Sequence, residues 1–561
     1  MQKIKRKLSI LIGSLFVITS LVGCSANTNG SNNSSGEKAS GKSGEQLADN
    51  QVLNWVAPTE IPTADSVKEY DTASAEQINI FAEGLYKING KNEAVPAIAD
   101  GEPKATNKEK TQYIINIKKD LKWSNGDPLT AKDFVYAWQR LFDPKTAAQN
   151  ASTYFNIKNA QAINEGKIDK SKLGIKALSD TQLQIDLEYS DVYFKETLSS
   201  TNLFPQNEKF VTEKGDKYGK SSEDTLSNGP LVLSDWDGTG LSWKYKKNKY
   251  YWDKDNISLK QINVQVVKET ATGINLYQAG TIDGVTLSGD FIKQFKDDPG
   301  YINILALRAT NLELGTSSNK NLQNENLRKA LSLSIDRNEL VKNVLADGSR
   351  AATGAIPKGM AKDPKNEEDF ADAAGELVKH DTDQAKKLWE KAKEELGVDK
   401  VSFTLITSDD GDSKTIGEYL QSQIETALPG VTINLSNVPA KVRFEKMMTY
   451  KFDLALGGWT GDFDPVSYLN QFFSTFEHNH AKFNDSEYDQ QITKIKTTDL
   501  TNPEQRWKDL VKAQEYLLDK QVVIPLTQGA ENYLVNPKVK GIVTHNLGAP
   551  IDITHAYIIK Q

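Results

Sequence analysis

The stretch Lys122-Trp123-Ser124-Asn125-Gly126-Asp127-Pro128-Leu129-Thr130-Ala131-Lys132-Asp133-Phe134-Val135-Tyr136-Ala137-Trp138-Gln139-Arg140 carries its own start signal. Thr130 followed by Asp133, just before Phe134, Val135, Ala137 and Trp138, has the spacing of a capping box that opens a helix. Upstream, Tyr113, Ile115 and Ile117 alternate with other residues before Leu121; downstream, Leu183, Ile185 and Leu187 alternate with Gln182, Gln184, Asp186 and Glu188. Both read as half-buried strands. Further along, Leu327, Ala330, Leu331, Val341, Val344 and Leu345 predict a helix across Asn326 to Leu345. Ala385, Leu388, Trp389 and Ala392 mark another amphipathic helix. The chain is therefore mixed α/β, and with no repeat of about 20 to 50 residues it is neither a solenoid nor a propeller.

With 561 residues, a quarter of them charged, the chain is too long for one core and calls for two or three lobes. Acids and bases are mixed along it, and the net charge of -7 argues against nucleic acid as a partner. At the start, Lys3, Lys5, Arg6 and Lys7 form a basic n-region before the apolar run Leu8 to Val22, which predicts a secretory signal over residues 1–23. The alternative, an uncleaved transmembrane helix, suits the run poorly because it is short for a bilayer span. It ends in Leu21-Val22-Gly23-Cys24, which resembles a bacterial lipobox. That resemblance implies cleavage before Cys24 and acylation of its sulfur, a lipoprotein anchor in the cell membrane. Cys24 is the one cysteine of the sequence, so no internal disulfide can form. Residues 25–46 are rich in Ser, Asn, Gly and Lys and predict a flexible tether with a reach of roughly 25 Å. Within it, Gly36-Glu37-Lys38-Ala39-Ser40-Gly41-Lys42-Ser43 fits the phosphate-loop pattern, but no apolar strand precedes it and no apolar helix follows, so it is rejected.

The Lys122–Arg140 stretch also resembles the signature of the oligopeptide-binding proteins of ABC transporters, the OppA-like extracellular solute-binding proteins of family 5. The resemblance continues through Ser227-Asn228-Gly229-Pro230, Lys249-Tyr250-Tyr251-Trp252-Asp253 and Tyr277-Gln278-Ala279-Gly280-Thr281-Ile282-Asp283. It extends to Leu327-Arg328-Lys329-Ala330-Leu331-Ser332-Leu333-Ser334-Ile335-Asp336-Arg337 and Ala556-Tyr557-Ile558-Ile559-Lys560. It implies a two-lobed clamshell like the periplasmic binding proteins (type II, cluster C), with an extra domain inserted in the first lobe. Mapped onto this chain, lobe I comprises 47–90, 222–312 and 531–561, the insert 91–221, and lobe II 313–530, after a lipidated and tethering segment 24–46. Chain crossings near Leu314 and Gln528 would form a hinge, and closure is what a membrane permease can sense. The implied protein is a monomer on the outer face of the cytoplasmic membrane of a Gram-positive bacterium. It would capture extracellular oligopeptides and hand them to the transmembrane permease subunits.

One segment bears on how a peptide is held: Phe452-Asp453-Leu454-Ala455-Leu456-Gly457-Gly458-Trp459-Thr460-Gly461-Asp462-Phe463-Asp464-Pro465. Phe452, Leu454 and Leu456 alternate as a strand that runs into glycines, where another backbone could approach. A peptide alongside Leu456, Gly458, Trp459 and Thr460 could pair its main chain with the strand whatever its side chains. The resemblance implies that Asp462, three residues after the tryptophan, meets the ligand's ammonium and that Trp459 forms an apolar wall. Read locally, Asp462 and Asp464 could equally shape a turn before Pro465. Relatives that close over very short peptides carry cations at the positions matching Leu456, Met447 and Met448, facing the ligand's carboxylate. Their absence here implies longer peptides, with Met448 and Leu456 against the ligand or the methionines packed in the core. His478 and His480 flank Asn479 and read as a loop rather than a metal site. Trp236, Trp243 and Trp252 read as packing residues. No G-x-S-x-G or H-E-x-x-H occurs, so no catalytic residue, cofactor or metal is expected. Two alternatives stay open: a subunit that takes up a signalling or pheromone peptide, and a secreted peptidase.

Overall fold

The Thr130–Asp133 box closes as its spacing predicts. In the computed structural model, which describes residues 46–560, β1 (Val52–Ala57) precedes a region holding β2 (Gln112–Asn116) and α1 (Ala131–Phe142). Thr130 Oγ1 accepts from the Lys132 amide at 3.3 Å, and Asp133 Oδ2 accepts from the Thr130 amide at 2.7 Å. The Trp123 indole donates to the other Asp133 oxygen at 3.3 Å, so one side chain starts the helix and pins the preceding loop. The expected signal peptide, Cys24, the 36–43 decoy and all of the expected tether but residue 46 lie outside the described residues.

After α1 come β3 (Ile175–Ser179) and β4 (Gln182–Asp186), and with the short strand Lys104–Ala105 they form a sheet ordered Lys104–Ala105, β2, β4, β3. Its apolar face, including Ile115, Leu183 and Ile185, packs with Phe134, Trp138 and Leu141 of α1 into one core. The chain then returns through β5 (Leu231–Ser234), β6 (Ser242–Lys247) and β7 (Gln261–Val266), which join β1 in the order β1-β7-β6-β5. β1 and β7 run parallel and the other pairs antiparallel.

A longer sheet follows. It is built from β8 (Gly284–Thr286), β9 (Tyr301–Leu314), β10 (Val401–Ser408), β11 (Val431–Val438), β12 (Leu454–Thr460) and β13 (Val523–Val535), ordered β8-β13-β9-β12-β10-β11, with the short strand Arg350–Ala351 pairing β13 off this path. β9 and β13 run from one apolar core to another. Ile304 and Tyr533 belong to the core under the first sheet, whereas Leu312, Leu314, Ile524 and Leu526 belong to the core under β10–β12. Between these ends the β9–β13 ladder is interrupted from Leu305 to Ala309, opposite Gln528 to Ala530. Gln528 lies at that interruption, while Leu314, the other expected crossing, is fully buried beyond it.

The helix read across Asn326 to Leu345 is two pieces. α2 (Glu325–Leu333) stops, and Asp336 caps a new turn by accepting from the Glu339 amide at 3.0 Å. Buried Arg337 explains the break, since its guanidinium donates to the Ser332, Ile335 and Pro525 carbonyls at 3.1, 3.0 and 2.6 Å. The carbonyls left orphaned at the helix end are thereby satisfied from the side. α3 (Thr382–Leu396) forms where predicted, between the Asp381 cap and the left-handed Gly397. Among the described residues no helix is long and apolar enough to cross a membrane.

Candidate functional site

β12 has two different edges. Along one it pairs with β9 over its whole length, from Leu314↔Leu454 to Arg308↔Thr460. Along the other it meets β10 only at Leu405↔Leu454 and Ile406↔Ala455, so among the described residues no strand covers that edge beyond Ala455. The Leu456 carbonyl, first past the end of β10, accepts from Arg443 Nη1 on α4 (Ala440–Met448). Backbone groups of successive strand residues address alternate edges. Leu456 facing the open edge therefore places Gly458 and Thr460 there too, each with one donor and one acceptor, while Gly457 and Trp459 face β9.

The glycines answer to the sheet's own partner. A Cβ on Gly457 would come within 2.5 Å of Glu313 Cγ, and one on Gly458 within 2.8 Å of the Ala309 carbonyl, both on β9. The sequence reading assigned this space to an approaching ligand; the structure gives it to β9, which runs close alongside the pair in the same sheet.

Past Thr460 the chain turns over α5 (Val466–Asn470). Ser467 Oγ accepts from the Asp462 amide at 3.2 Å and donates to the Asp464 carbonyl at 2.7 Å. The Asp464 amide donates to Asp462 Oδ1 at 2.8 Å. Asp464 is committed: Oδ1 accepts from the Val466 amide at 3.0 Å, and Oδ2 pairs at 2.6 Å with Arg506 on α6 (Pro503–Asp519). The turn reading thus holds for Asp464. Asp462 also takes part in the turn, but among the described residues no cation pairs with it.

A cavity of about 1370 Å³ opens over this turn. Trp459, Thr460, Gly461, Asp462, Phe463 and Asp464 line it, together with Tyr189, Asp191 and Tyr193 from the region before β5, Glu69 to Thr72 after β1, and His545 to Ala549 near the C-terminal end, with Asn546 alone of that run outside the lining. Burial, then the neighbouring Asp464 and Asp191, push the Asp462 carboxyl up to about 7. Asp191, whose Oδ1 accepts from the Tyr193 amide at 2.8 Å, is raised to about 6 by burial and by Asp464. The Arg506 guanidinium lies 5.9 Å over the Tyr193 ring and ties the two walls together. Two carboxylates above their ordinary range face one cavity, where Arg506 is spent on Asp464 and Lys496 donates to Asn470 Oδ1 at 3.0 Å rather than to either of them, and so form a place for a further cation.

Trp459 is half-buried, edge-on to Phe476 with ring centroids 6.0 Å apart and 5.9 Å from His478, so one wall of the cavity is aromatic. His480 is enclosed, and burial followed by His478 and Arg443 holds it down to about 4. Among the described residues no group of three or more His, Cys, Asp or Glu side chains is placed to hold a metal ion.

Of the residues singled out from sequence, Trp459, Thr460 and Asp462 meet at the cavity. Gly458 lies on the open edge just short of it. Leu456 and Met448, expected against the ligand, are placed elsewhere. Alternation with Leu454 turns the Leu456 side chain into the apolar core, and Met448 is half-buried at the end of α4, outside the lining. Met447 packs with Ile406, Phe452 and Ala455. Three residues escaped the sequence reading: Asp191, Arg443 and Arg506. Helical spacing held a clue to Arg443, one turn before Met447 and 3.7 Å from its sulfur; nothing local marked the other two.

Comparison with known proteins bears on this geometry. Residues 93–480 match the family described as bacterial extracellular solute-binding proteins, family 5 Middle. The chain is 34% identical over 530 residues to the dipeptide-binding protein of Lactococcus lactis subsp. cremoris, covering 92% of this chain and 96% of that protein. It superposes with a TM-score of 0.77 and 40% identity on the substrate-binding domain of an oligopeptide ABC transporter from Bacillus anthracis, covering 92% of this chain and all of that one. The pheromone receptor PrgZ gives the same TM-score at 37% identity, covering 91% of this chain and all of that one. The chain accordingly belongs to the family-5 bacterial extracellular solute-binding proteins, with the two-lobed α/β fold of their oligopeptide-binding members.

Proposed function

We propose that this protein is the peptide-capturing subunit of an ABC importer. It would be anchored through acylated Cys24 on the outer face of the membrane and deliver intact oligopeptides to a permease. The two lobes would close on each other about the β9–β13 interruption, which meets the crossing expected near Gln528 and lies short of the one expected near Leu314. The observation that carries the reading is that Asp462, a carboxylate with no cation partner among the described residues, stands beside the cavity at the end of a strand edge whose backbone groups no described strand pairs. A peptide running antiparallel along that edge would place its ammonium at Asp462 and its main chain at Thr460 and Gly458. Side chains would go largely unread, as an importer of mixed peptides requires.

Calorimetry with pentaalanine and its N-acetylated twin tests this. Losing one partner of an enclosed charge pair costs about 2–5 kcal/mol, so the acetylated peptide should bind at least thirtyfold more weakly. Equal affinity for the two would put the ammonium elsewhere. A second reading, capture of one signalling peptide, is favoured by the similarity to PrgZ. Mass spectrometry of ligands released from purified protein separates the two: a mixture of intact peptides supports nutrition, one dominant sequence supports signalling, and accumulating fragments would support a peptidase.

A further inference from the structure

The break in the β9–β13 ladder is held from two sides. At its centre the Leu307 amide donates to the Asn546 carbonyl at 2.7 Å, and Asn546 stands between His545 and Leu547, which line the cavity. The Leu307 carbonyl accepts from the Tyr468 hydroxyl at 2.6 Å. Beside them the Gln528 amide group donates to the Ala306 carbonyl at 3.0 Å, closing the interruption locally. Leu307 and Tyr468 are both buried. Tyr468 belongs to α5, directly under the turn that carries Asp462. A Cβ on Gly461 would collide with both the Tyr468 ring and Ser467 Oγ, so the turn rests on these two side chains with no spare space. Tyr468 therefore touches the ligand turn with its ring and, at the Gly461 backbone, with its hydroxyl, which also donates to the strand crossing.

We infer that Tyr468 is a positioning residue that transmits occupancy of the Asp462 site to the Leu305–Ala309 crossing, through ring contact at Gly461 and the hydroxyl bond to Leu307. This rests on the reading that Asp462 receives the ligand's ammonium. A buried side chain packed tightly at both ends cannot absorb a shift of the turn by bending, because close-packed interiors pass displacement on. A ligand that draws Asp462 toward itself then loads the Leu307 carbonyl, while the wall bearing Asn546 loads the Leu307 amide from the other side.

Hydrogen exchange of the full protein, alone and saturated with pentaalanine or N-acetyl-pentaalanine, reads this directly. Saturation with the free peptide should slow exchange of the Leu305–Ala309 amides by about tenfold, with a clearly smaller effect from the acetylated twin. In Tyr468→Phe, which keeps the ring and removes the hydroxyl, the slowing should shrink to within about twofold while free peptide still outbinds the acetylated twin. No slowing in the wild-type protein, equal slowing by both peptides, or full slowing in Tyr468→Phe would each overturn the inference. Should Tyr468→Phe not fold, the wild-type comparison of the two peptides decides. If calorimetry finds no difference between the two peptides in the wild-type protein, the Asp462 reading itself fails, an outcome distinct from intact discrimination without slowing at the crossing.

Discussion

Asp133 and Asp462 both sit at a loop–helix junction, and burial lifts both well above the ordinary aspartate value of 3.8, to about 6 and about 7. Their surroundings differ. Asp133 accepts from the Thr130 amide, the Thr130 hydroxyl and the Trp123 indole, so its oxygens are spent on its own chain. Asp462 accepts one backbone bond, from Asp464, and faces an open cavity with two more carboxylates close by. A buried carboxyl with its bonds filled is scaffold. One with capacity left over, next to space, is a binding group.

The most severe test of that contrast removes the cation already in place near Asp462. Arg506→Met leaves Asp464 mostly enclosed and unpaired, and stability should fall by about 3–5 kcal/mol in urea unfolding. A loss under about 1 kcal/mol would mean that the Asp464 pair is not what holds the turn. Next, Asp462→Asn should weaken binding of pentaalanine by about 2–5 kcal/mol in calorimetry without lowering the unfolding midpoint. The mirror experiment, Asp133→Ala, should cost about 1–2 kcal/mol of stability and leave peptide affinity as it was. Affinity lost with Asp133, or stability lost with Asp462, would erase the distinction between the two aspartates.

The smallest expected effect is in protons. At pH 7 the free Asp462 carboxyl is close to half protonated, and an ammonium beside it favours the ionised form. Binding should then release up to about half a proton at pH 7, seen as a dependence of the binding enthalpy on the buffer. The sign for stability is the opposite of an ordinary ion-paired aspartate. With a folded-state value raised to about 7, the Asp462 contribution to stability is fully present below the unfolded value near 4 and is lost as pH rises through 7. The unliganded wild type should therefore gain stability relative to Asp462→Asn as pH is lowered from 8 to 5.

Much of the architecture was legible because its causes are local. The Thr130–Asp133 spacing, the alternation in β2 and β4 and the amphipathic stripe of α3 all involve neighbours in sequence. The Asn326–Leu345 span was misread as one helix because the arginine that satisfies its broken end reaches across to Pro525. The site divides the same way. Trp459 and Asp462 were singled out through a resemblance carried by ordered motifs along the chain, and Thr460 through the strand pattern, which also suggested the edge they flank. Which side of the glycines is crowded, where Leu456 points and that Arg443 caps the edge could not.

The amino-acid order alone determined the α/β elements, their caps and the recognisable family pattern, because these depend on periodicity and on residues a few positions apart. Tertiary structure decided what each carboxylate is for. What makes Asp462 a candidate binding group as well as part of the turn is that Asp191 faces the same cavity, Arg506 is taken by Asp464, and β10 stops pairing after Ala455. Charge, enclosure and open backbone valence are properties of a place in space, and residues hundreds of positions apart build that place together.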